Sequence, residues 1–548
     1  MNSLHWIVEN AGSISRKTIW FWASIAFTLA WALPNLAFPI GRDQALYCVI
    51  ADGVLNGQRP YVDLWDNRPP TTFLVFLPIV KIFGRAMWSM GASDILWLLG
   101  MSGFVFWFAE QYLGAPAAAL AVGINAVWHS MVGYTHTLVP SALVIFFVFA
   151  GYFLVWKDGP RTRLRHFAAG VVMALAFWAA YNALLFLPLL LILPYSDLGG
   201  LDAKPRTLKL TIGFRDWWPR AAMLAGGFAA ASLMLAAYLW LAGSWREFYH
   251  INFEVMPAYA RLPLERTEEY GLWAIMQTEQ AVGRATLAVL VMALLAATYF
   301  RELRIILPAL LGAGIGFFAA AVQIRFHPYY FETASPFFAM MWGYTGVRLF
   351  VVSRNFALNC REKGWRVASL LIWVLFANMV GWFAADFVFA TRARYQLLAE
   401  WWRDPVQTYS AYPWPNTREH LKGEFAVIRF LREESSSQDR VFVWGTQPVI
   451  YFLSGRKSPT RFVSNLGLIS DWGSATWREE LVRDLKKAPP KFIIVVRKDA
   501  IPSVSHISLD SEHFLERFPH LDGFIRESYV QERIIENFVV FRLRVATS

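Results

Sequence analysis

The residues best suited to chemistry lie in one polar stretch, residues 41–84, between two apolar segments. It reads GRDQALYCVIADGVLNGQRPYVDLWDNRPPTTFLVFLPIVKIFG and contains carboxylates, arginines and a Pro-Pro pair. A carboxylate can accept a proton from an attacking hydroxyl. An arginine guanidinium can hold a phosphate through two parallel hydrogen bonds. Together these residue types indicate chemistry on an anionic, lipid-borne substrate at a membrane surface.

Asp43 is the candidate catalytic carboxylate of this stretch. It precedes ALYCVIADGVL, whose apolar spacing predicts a helix lying on the membrane surface and ending at Asn56-Gly57. We expect Asp43 to be the N-cap of that helix. The positive helix end keeps the carboxylate ionised, so it can take a proton or a hydrogen bond from a hydroxyl. A purely structural cap explains the position equally well.

The segment PYVDLWDNRPP supplies a candidate phosphate ligand, Arg68. Pro69 and Pro70 prevent regular helix there, so the guanidinium is held at the depth of lipid headgroups. An arginine paired with Asp66 is the alternative interpretation. Asp63 and Asp66 are candidate ligands of a divalent cation, and a salt-bridged turn explains them as well. No metal site or cofactor is predicted beyond this possible divalent cation.

A second polar cluster, QIRFHPYYFETASP at 323–336, falls in a short loop between apolar segments. Its candidate ligands for a phosphate or for sugar hydroxyls are Arg325, His327, Tyr329 and Tyr330. Charged groups beside membrane spans are costly, which favours a functional role. An aromatic anchor at the membrane interface is the alternative. The outside loop 243–271 is long enough to cover a cavity.

The composition is that of a membrane protein. Hydrophobic residues make up 56% of the chain, charged residues 17%, and the mean hydropathy is +0.37. The net charge of +11 comes from short Lys/Arg clusters between apolar segments, where the positive-inside rule places them. Membrane lipids are therefore expected partners, and nucleic acid is not.

Eleven apolar segments are candidate membrane spans, and alternating them from a cytoplasmic N-terminus puts everything after 391 outside. The basic loop 157–166 contradicts strict alternation, so we expect one re-entrant segment between 92 and 156. The segment 167–195 is expected to be two short helices, broken near Tyr181. The prediction is about 11–13 transmembrane helices. The segments are 18–40, 70–84, 92–110, 115–133, 138–156, 167–195, 220–242, 282–299, 305–322, 330–350 and 367–390.

The pattern changes after the last of these segments. Short β-rich runs, VFVWG at 441, KFIIVV at 491 and FVVFRLR at 538, alternate with helical stretches at 420–434 and 474–486. This alternation predicts a soluble α/β domain of roughly 150 residues. We therefore divide the chain into a transmembrane domain, 1–390, and an extracytoplasmic domain, 391–548.

Four strings of this chain resemble the GT-C superfamily of glycosyltransferases that use polyprenyl-phosphate sugars, which includes protein O-mannosyltransferases and lipid A aminoarabinose transferases. RDQALY follows the first span and leads into NGQRPYVDLWDNRPP, which is similar to the family's G-x-x-P-Y-x-D turn and Pro-Pro. RFHPYYFETASPFFAM resembles the family's late HYY-type loop. VFVWGTQPVIYFLSGRKSPTRF resembles an element of the extracytoplasmic domain of bacterial members.

The resemblance implies a GT-C fold with Asp43 as the catalytic residue and Arg68 engaging the donor phosphate. Gln44 stands where many relatives have glutamate, and Arg68 where lysine or histidine is common. Beside these two, the candidates from the residue types themselves are Arg325 and His327 for the phosphate, and Tyr61, Asp63, Asp66, Tyr329 and Tyr330 for substrate binding.

The implied activity is that of an inverting hexosyl- or pentosyltransferase. It would move a sugar from a polyprenyl-phosphate donor to a hydroxyl of a lipid, glycan or protein at the outer face of the bacterial cytoplasmic (inner) membrane. The topology implies a multi-pass protein with a cytoplasmic N-terminus and a periplasmic C-terminal domain. Two alternatives stay open: a non-catalytic glycolipid carrier or flippase, and an oligosaccharide ligase that uses lipid diphosphates.

Overall fold

The computed structural model describes residues 16–131, 137–156, 161–195, 213–265, 267–363, 365–411 and 421–544. Residues 157–160 of the predicted basic loop lie outside the described residues. Within these ranges the chain is mostly helical as far as Arg403, and a sheet with flanking helices follows. In lipid every backbone polar group must be satisfied within the chain, so long apolar sequences form helices there.

The helical part contains seventeen α-helices within the described ranges. In chain order they are α1 Arg16–Ala32, α2 Arg42–Leu55, α3 Thr71–Leu74, α4 Phe76–Phe83, α5 Ser89–Leu113, α6 Ala115–Met131, α7 Pro140–Val155, α8 Thr162–Phe177, α9 Leu187–Leu191, α10 Phe214–Leu241, α11 Trp245–Tyr249, α12 Met256–Glu265, α13 Thr267–Val282, α14 Arg284–Tyr299, α15 Leu303–Ala321, α16 Ser335–Glu362 and α17 Arg366–Arg403. Shorter turns join them: 3₁₀ helices Leu33–Ala37, Tyr181–Phe186, Leu193–Tyr195 and Pro328–Thr333, and a π-helix His250–Val255.

Four helical stretches of the described chain are long and apolar enough to cross a membrane, or five if one bent pair counts as a single span. They are Arg16–Ala37, Ser89–Leu113, Phe214–Leu241 and Leu303–Ala321. Helices lie at the other predicted spans too, several of them shorter, such as Pro140–Val155. The count of 11–13 spans stays a prediction. The predicted break in 167–195 is confirmed, because α8 ends at Phe177 and short helices follow from Tyr181.

Two glycines let α8 and α10 pack with their backbones in contact. A Cβ on Gly170 would collide with the carbonyl oxygen of Leu224, and one on Gly227 would collide with that of Phe167. Apolar burial does not drive helices together in lipid, so close packing at small residues supplies the attraction instead. A side chain at either glycine would separate the two helices.

The C-terminal part is built on a four-stranded sheet of order β1-β2-β4-β3. β1 and β2 are parallel, whereas β4 is antiparallel to both β2 and β3. The three predicted strands and both predicted helices are present, and the strand Tyr529–Ile535 was not predicted. The elements are α18 Pro405–Ala411, α19 Leu421–Glu434, β1 Val441–Trp444, α20 Val449–Ser454, α21 Leu466–Ile469, α22 Ala475–Lys487, β2 Phe492–Val496, α23 Pro502–Ser505, α24 Ser511–Phe514, 3₁₀ helix Leu515–Arg517, α25 Pro519–Ser528, β3 Tyr529–Ile535 and β4 Phe538–Leu543.

The strand β3 has no clear signal in the sequence, and the reason is its exposure. Every residue of β1 and β2 is buried, as expected for strands covered on both faces, and their sequences are continuous apolar runs. β3 lies at the opposite edge of the sheet from β1, and most of its residues are exposed or half-buried. Its sequence, YVQERII, therefore lacks the apolar run that marks β1 and β2.

Arg461 ties the C-terminal part to the polar loop that follows α2. This side chain is 8% exposed, and it donates to the carbonyl of Tyr61 (3.0 Å), to Glu247 (2.7 Å) and to Glu480 (2.8 Å). Its own carbonyl accepts the backbone N–H of Trp65 at 2.9 Å. One arginine thus joins three segments that are far apart in sequence.

We predict that Arg461→Met lowers the free energy of unfolding by about 2–3 kcal/mol, because it leaves two partly buried glutamates without their cation. Thermal unfolding of the purified protein in detergent measures the change. Arg526→Met is the control, since Arg526 pairs with Asp522 on an exposed helix surface. Equal melting temperatures for Arg461→Met and Arg526→Met would contradict the assignment.

Candidate active site

Helix α2 begins differently from the prediction. Gly41, not Asp43, is the N-cap, and its extended backbone (φ −74°, ψ 165°) leads into the first helical residue, Arg42. The Gly41 N–H donates to the Gln44 side-chain oxygen at 2.8 Å, while the Gln44 amide nitrogen donates to the carbonyl and the hydroxyl of Thr137 (2.5 and 2.6 Å). Because Gln44 closes the helix start, the Asp43 carboxylate takes no part in capping.

Asp43 is half-buried in the first turn of α2. Its carboxylate makes no hydrogen bond and no ion pair with any residue that the structure describes. Its charge nevertheless acts on Tyr47, Asp66, Arg68 and Tyr329. The carboxylate is therefore part of a shared electrostatic site and still has its oxygens available to accept a proton.

The backbone of Arg68 is fixed by two buried neighbours. The Asp66 carboxylate accepts the N–H of Asn67 (2.7 Å) and the N–H of Arg68 (3.2 Å). The Tyr61 hydroxyl donates to the Arg68 carbonyl at 2.8 Å, and Tyr61 is 0% exposed. Arg68 itself is half-buried. Tyr61 and Asp66 thus position the arginine, and their predicted contact with substrate stays a prediction.

Asp63 lies apart from this turn. Its carboxylate pairs with the Arg59 guanidinium through two contacts of 2.8 and 3.0 Å, and it also accepts the Arg59 backbone N–H at 2.8 Å. This is the salt-bridged turn of the sequence analysis. Across the described ranges, no three or more His, Cys, Asp or Glu side chains are grouped so that they could hold a metal ion.

The second predicted cluster reaches the same site. Tyr329 and Tyr330 lie in the 3₁₀ helix Pro328–Thr333, and both interact electrostatically with Arg68. The ring of half-buried His327 stacks on Tyr329 (centroids 5.5 Å apart), and Tyr330 packs edge-on against Tyr329 (4.7 Å). The structure thus brings the two predicted clusters together, although about 260 residues separate them.

Arg325 makes contacts of a different kind. It is 1% exposed, and its guanidinium donates to the carbonyls of Tyr259 (2.7 Å) and Ser503 (3.2 Å) and lies over the Tyr259 ring. Its flanking residues, Ile324 and Phe326, have positive φ angles of 59° and 48°. A non-glycine residue in this left-handed backbone conformation raises the free energy of the folded state by about 1–3 kcal/mol. In this structure the Arg325 guanidinium joins the 323–336 loop to the C-terminal part through Ser503. Phosphate binding by Arg325 stays a prediction.

Tyr47 is a site residue that the sequence analysis missed. It is buried in α2, and its hydroxyl lies beside the Arg68 side chain. Burial raises the pKa of Tyr47 well above its ordinary value, so the hydroxyl keeps its proton and can donate it. The available signal was its spacing: positions 43 and 47 share one face of a helix.

Arg68 and Asp43 interact without forming a direct ion pair in the described structure. Because the two charges do not pair with each other, each is available to a third group. A half-buried guanidinium with tyrosine hydroxyls beside it suits an anion, and a nearby carboxylate suits a hydroxyl group. The arrangement can therefore place a phosphate and a hydroxyl close together.

The pH dependence of stability tests the burial of Asp66. Burial raises the pKa of the Asp66 carboxyl to about 7, although Arg68 and two backbone N–H groups favour its ionised form. The unfolded value is about 3.9. The stability contributed by the protonated group is complete below about pH 4 and is lost as the pH rises through about 7. We predict that Asp66→Asn flattens the decline in melting temperature across this range.

Asp63→Asn is the control for that measurement. The hydrogen bond from Arg59 lowers the pKa of Asp63, so its contribution to stability is present at neutral pH and is lost on acidification. The two variants should therefore change the pH profile in opposite directions. A profile of Asp66→Asn parallel to that of the wild type would show that Asp66 ionises normally.

Comparison with known proteins places the fold. No protein-family model matches the chain, and no curated protein matches it. Among solved structures, ArnT from Cupriavidus metallidurans in the apo state aligns with a TM-score of 0.51 and 15% identity, over 96% of this chain and 98% of that one. The structure of ArnT bound to undecaprenyl phosphate aligns with a TM-score of 0.49 and 14% identity, over 100% and 99%.

A third structure, the archaeal oligosaccharyltransferase AglB from Archaeoglobus fulgidus with an inhibitory peptide and a dolichol-phosphate, aligns with a TM-score of 0.43 and 13% identity, over 90% of this chain and 70% of that one. The alignment with apo ArnT, a GT-C superfamily member, extends over nearly the whole of both chains. The chain therefore has a GT-C-like fold, as its sequence motifs predicted.

Proposed function

We propose that this protein is an inverting glycosyltransferase that moves a sugar from a polyprenyl-phosphate donor to an acceptor hydroxyl. The observation that carries the proposal is the meeting of Asp43, Arg68 and Tyr329, from three separate segments, in one half-buried electrostatic site. An unpaired carboxylate opposite a positioned guanidinium meets the needs of this reaction and is costly to maintain without a function.

The proposed reaction is a single displacement at the anomeric carbon. The acceptor oxygen forms a bond to that carbon on one face while the bond to the phosphate oxygen breaks on the other, so the configuration inverts. Asp43 takes the acceptor proton. Arg68 meets the negative charge that grows on the leaving phosphate. The hydroxyls of Tyr47 and Tyr329 can donate further hydrogen bonds to its oxygens.

A lipid-borne donor accounts for the position of the site among apolar helices. The chain of a polyprenyl phosphate can lie between helices, which supplies affinity while the polar groups position the reacting atoms. The protein whose apo structure has the same fold has also been solved with undecaprenyl phosphate bound. We infer a donor of that class here, with a lipid, glycan or protein hydroxyl as acceptor.

We further propose that the site faces the outer side of a bacterial cytoplasmic membrane. The clusters of Lys and Arg near 301 and 348–366 then lie in the cytoplasm, as the positive-inside rule requires. The sheet-containing part, which contacts the site loops through Arg461, lies on the same side as the site. With this orientation it is a periplasmic domain.

The central test is Asp43→Asn, because an amide cannot accept the acceptor proton. We expect sugar transfer to slow by about 10²–10⁴-fold. Mass spectrometry of lipids and glycans from cells with and without the protein identifies donor and acceptor, and purified protein in detergent then gives the rate. Undecaprenyl phosphate should bind the variant and the wild type equally well.

Asp52→Asn is the matched control for that experiment. Asp52 lies on the same helix and forms an ion pair with Arg85 at 2.8 Å. Its substitution should leave transfer unchanged. Equal rates of sugar transfer by Asp43→Asn and the wild type would contradict the proposed mechanism. A wild type that moves glycolipid across vesicles without forming a product would instead identify a carrier.

A second prediction concerns the donor phosphate. Arg68→Gln is expected to weaken the binding of undecaprenyl phosphate and to slow transfer about 10²–10³-fold, because it removes the charge that meets the leaving group. Lysine at this position should restore part of the rate, since it keeps the charge but loses the bidentate geometry. Arg85→Gln serves as the control. Unchanged lipid binding by Arg68→Gln would place the phosphate elsewhere.

A further inference from the structure

A group of buried polar side chains links helices of the helical part to the 3₁₀ helix Pro328–Thr333. His129, on α6, lies between Asp94 on α5 and Glu332 in the 3₁₀ helix Pro328–Thr333. Its Nε2 is 2.8 Å from an Asp94 oxygen, and its Nδ1 is 2.7 Å from a Glu332 oxygen. All three side chains are about 2% exposed or less. Sequence analysis singled out none of them.

The two contacts suit a charged imidazole. Ionised carboxylates accept hydrogen bonds and a protonated imidazole donates from both nitrogens, so a protonated His129 complements ionised Asp94 and Glu332. The Nε2 contact with Asp94 is a hydrogen bond, and the Nδ1 contact with Glu332 is an ion-pair contact. Trp97 stacks on the His129 ring with centroids 4.6 Å apart, which restricts its orientation. A buried charge of this kind is costly unless each partner is present.

The chain of contacts continues to the helix that leads into the sheet. Asn35 donates to the second oxygen of Asp94 at 2.6 Å, and the Asn35 oxygen accepts from Arg394 on α17 at 2.6 Å. Arg394 also lies over the Trp31 ring, 4.5 Å from its centre. With His129 protonated and both carboxyls ionised, two cations, Arg394 and His129, balance two carboxylates, Asp94 and Glu332. In that state the group as a whole is neutral.

The other end of the chain reaches the proposed phosphate site. Glu332 lies in the same short 3₁₀ helix as Tyr329 and Tyr330, both of which interact with Arg68. A 3₁₀ helix of this length has few backbone hydrogen bonds of its own and depends on tertiary contacts for its position. Thr333 supplies one such contact, from its hydroxyl to the Gly316 carbonyl at 2.8 Å. The His129 imidazolium supplies a charged contact.

We propose that Asp94, His129 and Glu332 form a positioning network that holds the Tyr329–Tyr330 segment against Arg68. The proposal rests on the proposed function for its consequence: the tyrosine hydroxyls are already in place when the donor phosphate arrives, so binding does not have to order them. His129 touches neither the donor nor the acceptor. It acts through the position of the 3₁₀ helix.

The test exploits the charge balance. His129→Gln removes the cation and leaves Glu332 unpaired in a buried place, so the 3₁₀ helix should loosen. The double variant His129→Gln with Glu332→Gln is neutral again and should recover its position. His166→Gln is the matched control, because His166 is also a buried histidine of the helical part and its Nδ1 lies 2.7 Å from the Thr162 carbonyl, one turn away on its own helix.

Hydrogen–deuterium exchange of the full-length protein in detergent is the primary measurement. In His129→Gln, peptides covering 326–336 should exchange at least about tenfold faster, whereas peptides of β2 should be unchanged. The double variant should return most of the protection, and His166→Gln should match the wild type. If His129→Gln does not fold, Glu332→Gln alone provides the same comparison, since it also unbalances the network.

Binding of undecaprenyl phosphate is measured on the same samples and separates the two proposals. Faster exchange at 326–336 with binding weakened tenfold or more, both recovered in the double variant, supports the network and its role. Unchanged exchange in His129→Gln and in Glu332→Gln overturns the network. Changed exchange together with a wild type that binds no polyprenyl phosphate leaves the network standing and removes the proposed function.

Discussion

The separation of Asp43 from Arg68 is the constraint on which the site depends. Opposite charges at the edge of a low-dielectric region attract strongly, and flexible chains would let them pair. Here Asp43 is fixed in the first turn of α2, while Arg68 is fixed by Asp66 and Tyr61 ahead of two prolines. The two groups therefore interact electrostatically without forming an ion pair. Such prearranged charges can stabilise a transition state because they need not reorganise during the reaction.

The fold meets this constraint by tying surface loops to distant segments. Arg461 joins the Tyr61 turn to the C-terminal part, and Trp65 packs edge-on against Trp477 with ring centres 5.4 Å apart. A Cβ on Gly467 would press on both indole rings, so the absence of a side chain there is required. Arg325 makes the equivalent tie for the second cluster. Loops held this way behave as part of a rigid scaffold, which a site of precise geometry needs.

Buried polar groups in the helical part also fix the positions of the elements around the site. Asp94, His129 and Glu332 would be expensive in an apolar environment if any one of them lacked its partner. Each partner comes from a different element, so the network forms only when those elements are correctly packed. A contact that is costly when incomplete specifies one arrangement of helices more sharply than apolar packing does, since apolar surfaces tolerate small shifts.

The sequence by itself determined the local features: the apolar helices, the strands β1, β2 and β4, the break after Phe177, the end of α2 at Asn56-Gly57 and the motif residues Asp43 and Arg68. These follow from periodicity, composition and turn chemistry, which act over a few residues. Only the tertiary structure decided the cap of α2, the edge strand β3, the place of Tyr47 and the buried chain from Arg394 to Glu332. Each of these depends on a partner far away in sequence, such as Thr137 for Gln44, and no local pattern encodes which distant group will satisfy a buried polar atom.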